Sequence, residues 1–151
     1  MFAVNRAARR FESTASQVFA GDNLNFLEGL VLAAMFFESP LPVKPSQLAE
    51  TFATTRGNVS HCVSSLETKG LLQRRIDPED ARAYQLTLKP QGKKCAMRVI
   101  GAFDKLQKEF EQEAGKTALG EALKVLRKLE ALCIVSHPNR NNKNPARVGH
   151  P

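Results

Sequence analysis

Between residues 5 and 20, apolar side chains recur at Ala8, Phe11, Ala15, Val18 and Phe19, a helical spacing. Gly21, Asp22 and Asn23 break the pattern and can cap the next helix. Residues 24–38 are apolar almost all round (Leu24, Leu27, Leu30, Val31, Leu32, Ala34, Met35, Phe36, Phe37), so the predicted helix must be buried on most sides. SPLPVKP then holds three prolines within six residues and predicts an extended connector. Ser46 is placed to cap a short helix, Gln47–Phe52, with Leu48 and Phe52 on one face.

Thr54 and Thr55 end that helix, and Thr55 can cap the next, Arg56–Lys69. One face of this next helix carries Val59, Cys62, Val63 and Leu66, and the other Asn58, His61, Ser64, Ser65 and Thr68. Gly70 follows as a C′ glycine, with Lys69 in the last turn favouring the helix dipole. Leu71–Ile76 and Ala83–Leu88 read as two strands joined by the loop DPEDAR. Pro90 suits the first turn of a long helix whose stripe runs through Cys95, Val99, Phe103, Leu106 and Phe110 to Gly115. Thr117 can cap a last helix bearing Leu119, Leu123, Leu126, Leu129, Leu132 and Cys133. The terminal stripes are too wide for a small core to satisfy, which predicts a partner surface, most simply a second copy of the chain.

Charge sharpens this outline. The 151 residues carry 22 Lys and Arg against 15 Asp and Glu, a net +7. Residues 56–94 hold eight basic and four acidic groups, whereas residues 21–55 hold one Lys and four acids. The tail 137–151 has Arg140, Lys143 and Arg147 and no acid; its Asn- and Pro-rich composition predicts disorder. A basic balance of this size points to nucleic acid or another anionic surface. Cys62, Cys95 and Cys133 form no CxxC, so no disulfide framework or zinc site is expected, and a reduced cytoplasm is. No signal peptide or membrane span is predicted. No GxSxG, P-loop, HExxH or dinucleotide fingerprint occurs. The carboxylates Asp77, Glu79 and Asp80 fall in a loop expected to be exposed, where burial cannot tune their acidity. We therefore expect no enzyme, no cofactor and no metal.

Helix, tight break, helix, two-stranded hairpin is the order of a winged helix-turn-helix. A helix that enters the major groove must show small polar side chains on one face. The outer face of Arg56–Lys69 meets that demand, and Arg56 at its start can reach a guanine edge or a phosphate. A hairpin tip can sit in the minor groove, where Arg fits best. The predicted fold class is mainly α with a small β-hairpin wing, a winged helix-turn-helix flanked by dimerisation helices.

The run from Pro45 to Gly92 resembles the core of the MarR (multiple antibiotic resistance regulator) family. Ser46, Leu48 and Ala49 match its opening; Thr55, Arg56 and Val59 the start of the recognition helix; Leu66, Glu67, Gly70 and Leu71 its end; Arg75, Asp80 and Arg82 the wing. The resemblance implies a homodimeric transcription regulator, usually a repressor released by a small aromatic or anionic effector or by cysteine oxidation. It implies Arg82 as the minor-groove arginine and Asp80 as the acid that orients it. Gly57 and Lys89 depart from the family pattern, in which a Pro or bulkier residue and a Thr are usual.

The candidate double-stranded DNA contacts are Thr55, Arg56, Asn58, Ser60, His61, Ser64, Arg75, Asp80 and Arg82. Arg74 and Arg75 point to opposite faces of their strand, one to phosphate and one to solvent, and Arg75 is the better candidate for phosphate. Lys93 and Lys94 are expected to be solvated. Cys62 lies on the core face, where thiols are inert. The redox-sensing relatives carry a reactive Cys in the first helix, and no Cys precedes Cys62. Phe11, Val18, Phe19, Leu27 and Val31 could line an effector pocket or serve as core.

The expected organisation is a helical dimerisation region over 1–22 and 90–136, a winged helix-turn-helix over 23–89, and a basic tail over 137–151. The expected function is a dimeric, sequence-specific DNA-binding regulator of a near-palindromic site, cytoplasmic and nucleoid-associated when bound. Its helix 56–69 would lie in the major groove and its wing 77–82 in the minor groove. The alternatives are a winged-helix protein-docking module and nonspecific DNA compaction through the tail.

Overall fold

The computed structural model describes residues 2–78 and 80–136, the side chains of 133–136 excepted; Glu79, the Cys133 thiol and the tail 137–151 lie outside the described residues. The chain divides into two compact units, residues 1–106 and 107–151. In chain order the elements are α1 (Phe2–Phe19), a 3-10 turn (Ala20–Asp22), α2 (Phe26–Glu38), α3 (Pro45–Thr51), α4 (Arg56–Thr68), β1 (Leu72–Ile76), β2 (Tyr84–Leu88), α5 (Pro90–Ala114) and α6 (Lys116–Ser136).

Local chemistry sets these boundaries. Asn23 takes the left-handed conformation (φ 55°) that ends the first turn, and Asn25 caps α2. The Asn25 side chain accepts the Glu28 N–H at 2.9 Å while the Glu28 carboxylate accepts the Asn25 N–H at 2.8 Å, a reciprocal capping box. The cap of α2 is thus two residues later than the break at Gly21–Asn23. The expected Ser46 cap is also displaced. Pro45 occupies the first turn, Lys44 is the capping residue, and its N–H is taken by the Gln47 side chain at 2.7 Å. Thr55 caps α4 as expected, its hydroxyl accepting the Asn58 N–H at 3.1 Å. Gly70 (φ 71°) ends α4, with the Leu71 N–H returning to the Leu66 carbonyl at 2.9 Å. Gly115 (φ 81°) separates α5 from α6, so Thr117 lies inside the first turn of α6 and is not its cap.

The hairpin pairs antiparallel from Leu72↔Leu88 to Ile76↔Tyr84. Val43 adds a rung on the outer edge of β2, exchanging two backbone hydrogen bonds with Leu86 at 2.8 and 3.0 Å. The proline-rich connector is thus an edge segment, where prolines are tolerated because one side of the strand needs no donor.

In the first unit the core gathers Phe19 and Ala15 of α1, Val31, Leu32 and Met35 of α2, and Leu48 of α3. It also takes Val59, Cys62, Val63 and Leu66 of α4, Leu72 and Leu86 of the hairpin, and Cys95, Ala96 and Val99 of α5. The Phe19 and Phe103 rings meet edge to face with centroids 5.1 Å apart. Gly92 lets α5 approach the strand entry: a Cβ there would sit 1.9 Å from the Leu71 carbonyl oxygen. Of the five residues that could line an effector pocket or serve as core, Phe19 and Val31 are fully packed, Phe11 and Leu27 half-buried, and Val18 faces solvent.

In the second unit, α6 shows Leu123, Leu126, Leu129 and Leu132 to solvent at 39–62% exposure. This apolar row has no cover among the described residues of its own unit. Among the described residues no single helix is long and apolar enough to cross a membrane.

Candidate nucleic-acid interface

All nine candidate contacts are exposed. Thr55, Arg56, Asn58, Ser60, His61 and Ser64 stand on α4 and its cap, opposite the buried row Val59, Cys62, Val63 and Leu66. The local reason is amphipathicity: the apolar row docks α4 onto the core and forces the polar row outward. Ser65 and Thr68 offer less to that outer face. Ser65 is half-buried and hydrogen-bonds the Glu28 carboxylate, and the exposed Thr68 donates its hydroxyl to the Ser64 carbonyl at 2.9 Å. The Asn58 side-chain amide donates to the Thr54 hydroxyl at 3.1 Å, which fixes its rotamer at the start of the helix.

Beneath α4 lies a charge pair that sequence reasoning missed. Glu28 is 1% exposed, and Lys69 donates to both of its carboxylate oxygens at 2.8 Å. Burial pushes the Glu28 carboxyl up. Hydrogen bonds from Lys69, Ser65 and the Asn25 backbone, with the Lys69 charge, outweigh burial and hold it below the usual carboxylate value. The signal was available: Glu28 is the one charged residue inside the apolar run 24–37.

Arg74 is not the solvent-facing arginine expected of it. It is half-buried, its Nε lies 3.0 Å from a Glu67 oxygen, and its guanidinium also donates to the Ser64 hydroxyl. Arg75 is exposed and makes no ion pair among the described residues.

The wing loop is tied at its base. Asp77, expected in an exposed loop, is 2% exposed and paired with Lys44 at 2.6 Å; its N–H donates to the Ala83 carbonyl at 3.0 Å. The hairpin folds its own base over Asp77, and Lys44 on the connector neutralises it. Asp80 accepts the Arg82 backbone N–H at 2.9 Å, a tight turn at the hairpin tip. It thereby fixes the backbone from which the Arg82 side chain springs.

Lys93 and Lys94 are exposed, as expected. The buried Cys62 thiol is pushed up to about 12, by burial first and then by the Glu28 charge. Cys95 is raised too, chiefly by burial. Asp22 is held below its ordinary value by hydrogen bonds from Arg98, which joins the 3-10 turn to α5. Among the described residues no group of three His, Cys, Asp or Glu could hold a metal ion.

A recognition-type helix set beside a two-stranded wing defines a winged helix-turn-helix. Residues 39–84 match the sequence model of the MarR family. Over 105 residues the chain is 25% identical to the HTH-type transcriptional regulator PapX of Escherichia coli, an alignment covering 70% of this chain. The chain spans 64% of the length of PapX. The fold is that of a Staphylococcus aureus MepR–DNA complex, with a TM-score of 0.78 and 18% identity over 86% of this chain and 94% of that one. It is also that of the transcriptional regulator BldR from Sulfolobus solfataricus, with a TM-score of 0.76 and 23% identity over 87% and 91% of the two chains.

Proposed function

We propose that the chain is a dimeric, sequence-specific DNA-binding transcription regulator acting as a repressor. In this reading α4 enters the major groove with Arg56, Asn58, Ser60, His61 and Ser64 outward, and Thr55 holds the helix start against a phosphate. The wing 77–82 reaches the minor groove through Arg82, set by Asp80, and Arg75 meets the backbone. The observation that carries the reading is the distribution of uncompensated charge. Of the eight basic residues in 56–94, Lys69 and Arg74 are ion-paired; Arg56, Arg75, Arg82, Lys93 and Lys94 are exposed and make no ion pair among the described residues. Positive charge left unpaired around a small polar helix face suits a polyanion with a readable groove.

Dimerisation would fall to the helical segments 1–22 and 90–136, with the segment 23–89 as the DNA-binding module. The apolar row on α6 supports this, and so do Phe2 and Val4 exposed on α1. Two copies would place two α4 helices in successive major grooves about one helical turn apart on a near-palindromic site.

Selection from random duplex DNA at physiological salt tests the reading. Wild type should enrich an inverted repeat that Arg82→Ala blurs. Enrichment of no sequence would overturn the reading in favour of a protein-docking module.

A further inference from the structure

We propose that Arg74 is a positioning residue that locks the wing to the recognition helix and does not itself touch DNA; this rests on reading α4 and the wing as a DNA interface. Arg74 and Arg75 are adjacent on β1 and therefore point to opposite faces. Arg75 is exposed and unpaired among the described residues, whereas the Arg74 guanidinium is taken up by α4. Its Nε lies 3.0 Å from one Glu67 oxygen, an ion pair without hydrogen-bond alignment, and its Nη2 donates to the Ser64 hydroxyl. The other Glu67 oxygen accepts the Arg74 backbone N–H at 3.3 Å. Ser64 and Glu67 are three residues apart on α4 and so share a face, which the guanidinium spans with a hydrogen bond to Ser64 and an ion pair to Glu67.

The covalent link between α4 and β1 is short and contains Gly70 at φ 71°, a residue type with few steric limits on its backbone. The hairpin base is also held by Leu72 and Leu86 in the core, by the Val43–Leu86 rung and by the Lys44–Asp77 pair. Arg74 adds the side-chain tie that runs from β1 directly to α4, four residues beyond Gly70. That tie sets the reach from the α4 groove-facing row to Arg82 at the wing tip. Without it, the angle of the wing to α4 must be ordered at the moment of binding, and affinity falls.

The test uses the full-length chain on the site selected for wild type, across a salt series. Arg74→Ala and Glu67→Gln should each weaken binding about tenfold, with the double variant no weaker than the worse single, because both break the same clamp. The slope of log affinity against log salt should be unchanged in Arg74→Ala. A phosphate contact would instead lose about one unit of slope. Glu67→Gln discriminates most sharply, because removing an anion near DNA strengthens a purely electrostatic complex and weakens this one. Arg74→Lys keeps the charge without the guanidinium, so it should also lose affinity while melting near wild type. A lowered slope in Arg74→Ala, additive losses, Arg74→Lys binding as wild type, or Glu67→Gln binding as tightly as wild type would each overturn the assignment. Failure of wild type itself to bind any duplex would instead overturn the underlying DNA reading, and this proposal with it.

Discussion

Replacing Lys69 by Met strands the Glu28 carboxylate in the core. The carboxylate has 1% exposure and two 2.8 Å contacts to the Lys69 ammonium, and the Met stem fills the space of the Lys stem. Removing one partner of a buried pair costs about 3–5 kcal/mol. The Lys69 side chain is 25% exposed, and Glu28 keeps its hydrogen bonds from Ser65 and Asn25, so about 3 kcal/mol is expected at pH 7. In wild type the folded Glu28 carboxyl lies below its unfolded value of 4.5. Its contribution is therefore fully present above about pH 4.5 and is lost as pH falls through the folded value. In Lys69→Met only the Ser65 and Asn25 hydrogen bonds oppose burial, the largest single influence on this group, and the folded carboxyl is expected above 4.5. The deficit is then largest at high pH and shrinks as pH falls towards 4.5. Urea unfolding of both proteins at pH 7.5 and pH 5, at equal protein concentration, measures this directly. Adding Glu28→Gln to Lys69→Met should recover most of the loss, because the buried charge is gone. A deficit under about 0.5 kcal/mol at pH 7.5, or one that does not change with pH, would refute the reasoning.

Gly92→Ala should destabilise by about 3 kcal/mol or more in thermal melts, because the new methyl meets the Leu71 backbone oxygen at 1.9 Å and neither helix nor strand end can yield cheaply. Native-state alkylation should leave Cys62 untouched at pH 8 while the urea-unfolded chain reacts there, as read by peptide mass mapping, because burial holds the thiol near 12. Leu126→Glu should shift the sedimenting species from dimer to monomer without altering the helical circular dichroism of the chain, since Leu126 is 49% exposed on α6. Arg75→Ala should weaken binding to all duplexes alike and lower the salt slope by about one, opposite to the behaviour expected of Arg74→Ala.

Element types were legible where periodicity and punctuation agreed. Thr55 and Gly70 bracketed α4 within one residue because a capping hydroxyl and a left-handed glycine both leave strong local marks. Ser46 and Thr117 misled for the same reason: a hydroxyl is a good cap, but Pro45 and Gly115 had already fixed the helix starts. The exposed polar row of α4 followed from amphipathicity alone. The long-range pairs did not. Glu28–Lys69 are separated by 41 residues, and Lys44–Asp77 join a connector to a hairpin base. Local pattern carries no information about such partners. Asp77 therefore looked like loop surface, and Arg74 looked like a solvent-facing arginine, whereas its guanidinium meets Glu67 and Ser64 of α4.

Hydroxyl-radical footprinting of wild type and Arg82→Ala on the selected duplex tests the central claim most directly. Two protected patches about one helical turn apart are expected, related by the symmetry of the site, each with a flanking minor-groove protection that disappears in Arg82→Ala. A single unrepeated patch, or minor-groove protection unchanged by the substitution, would contradict a dimer reading DNA with α4 and the wing.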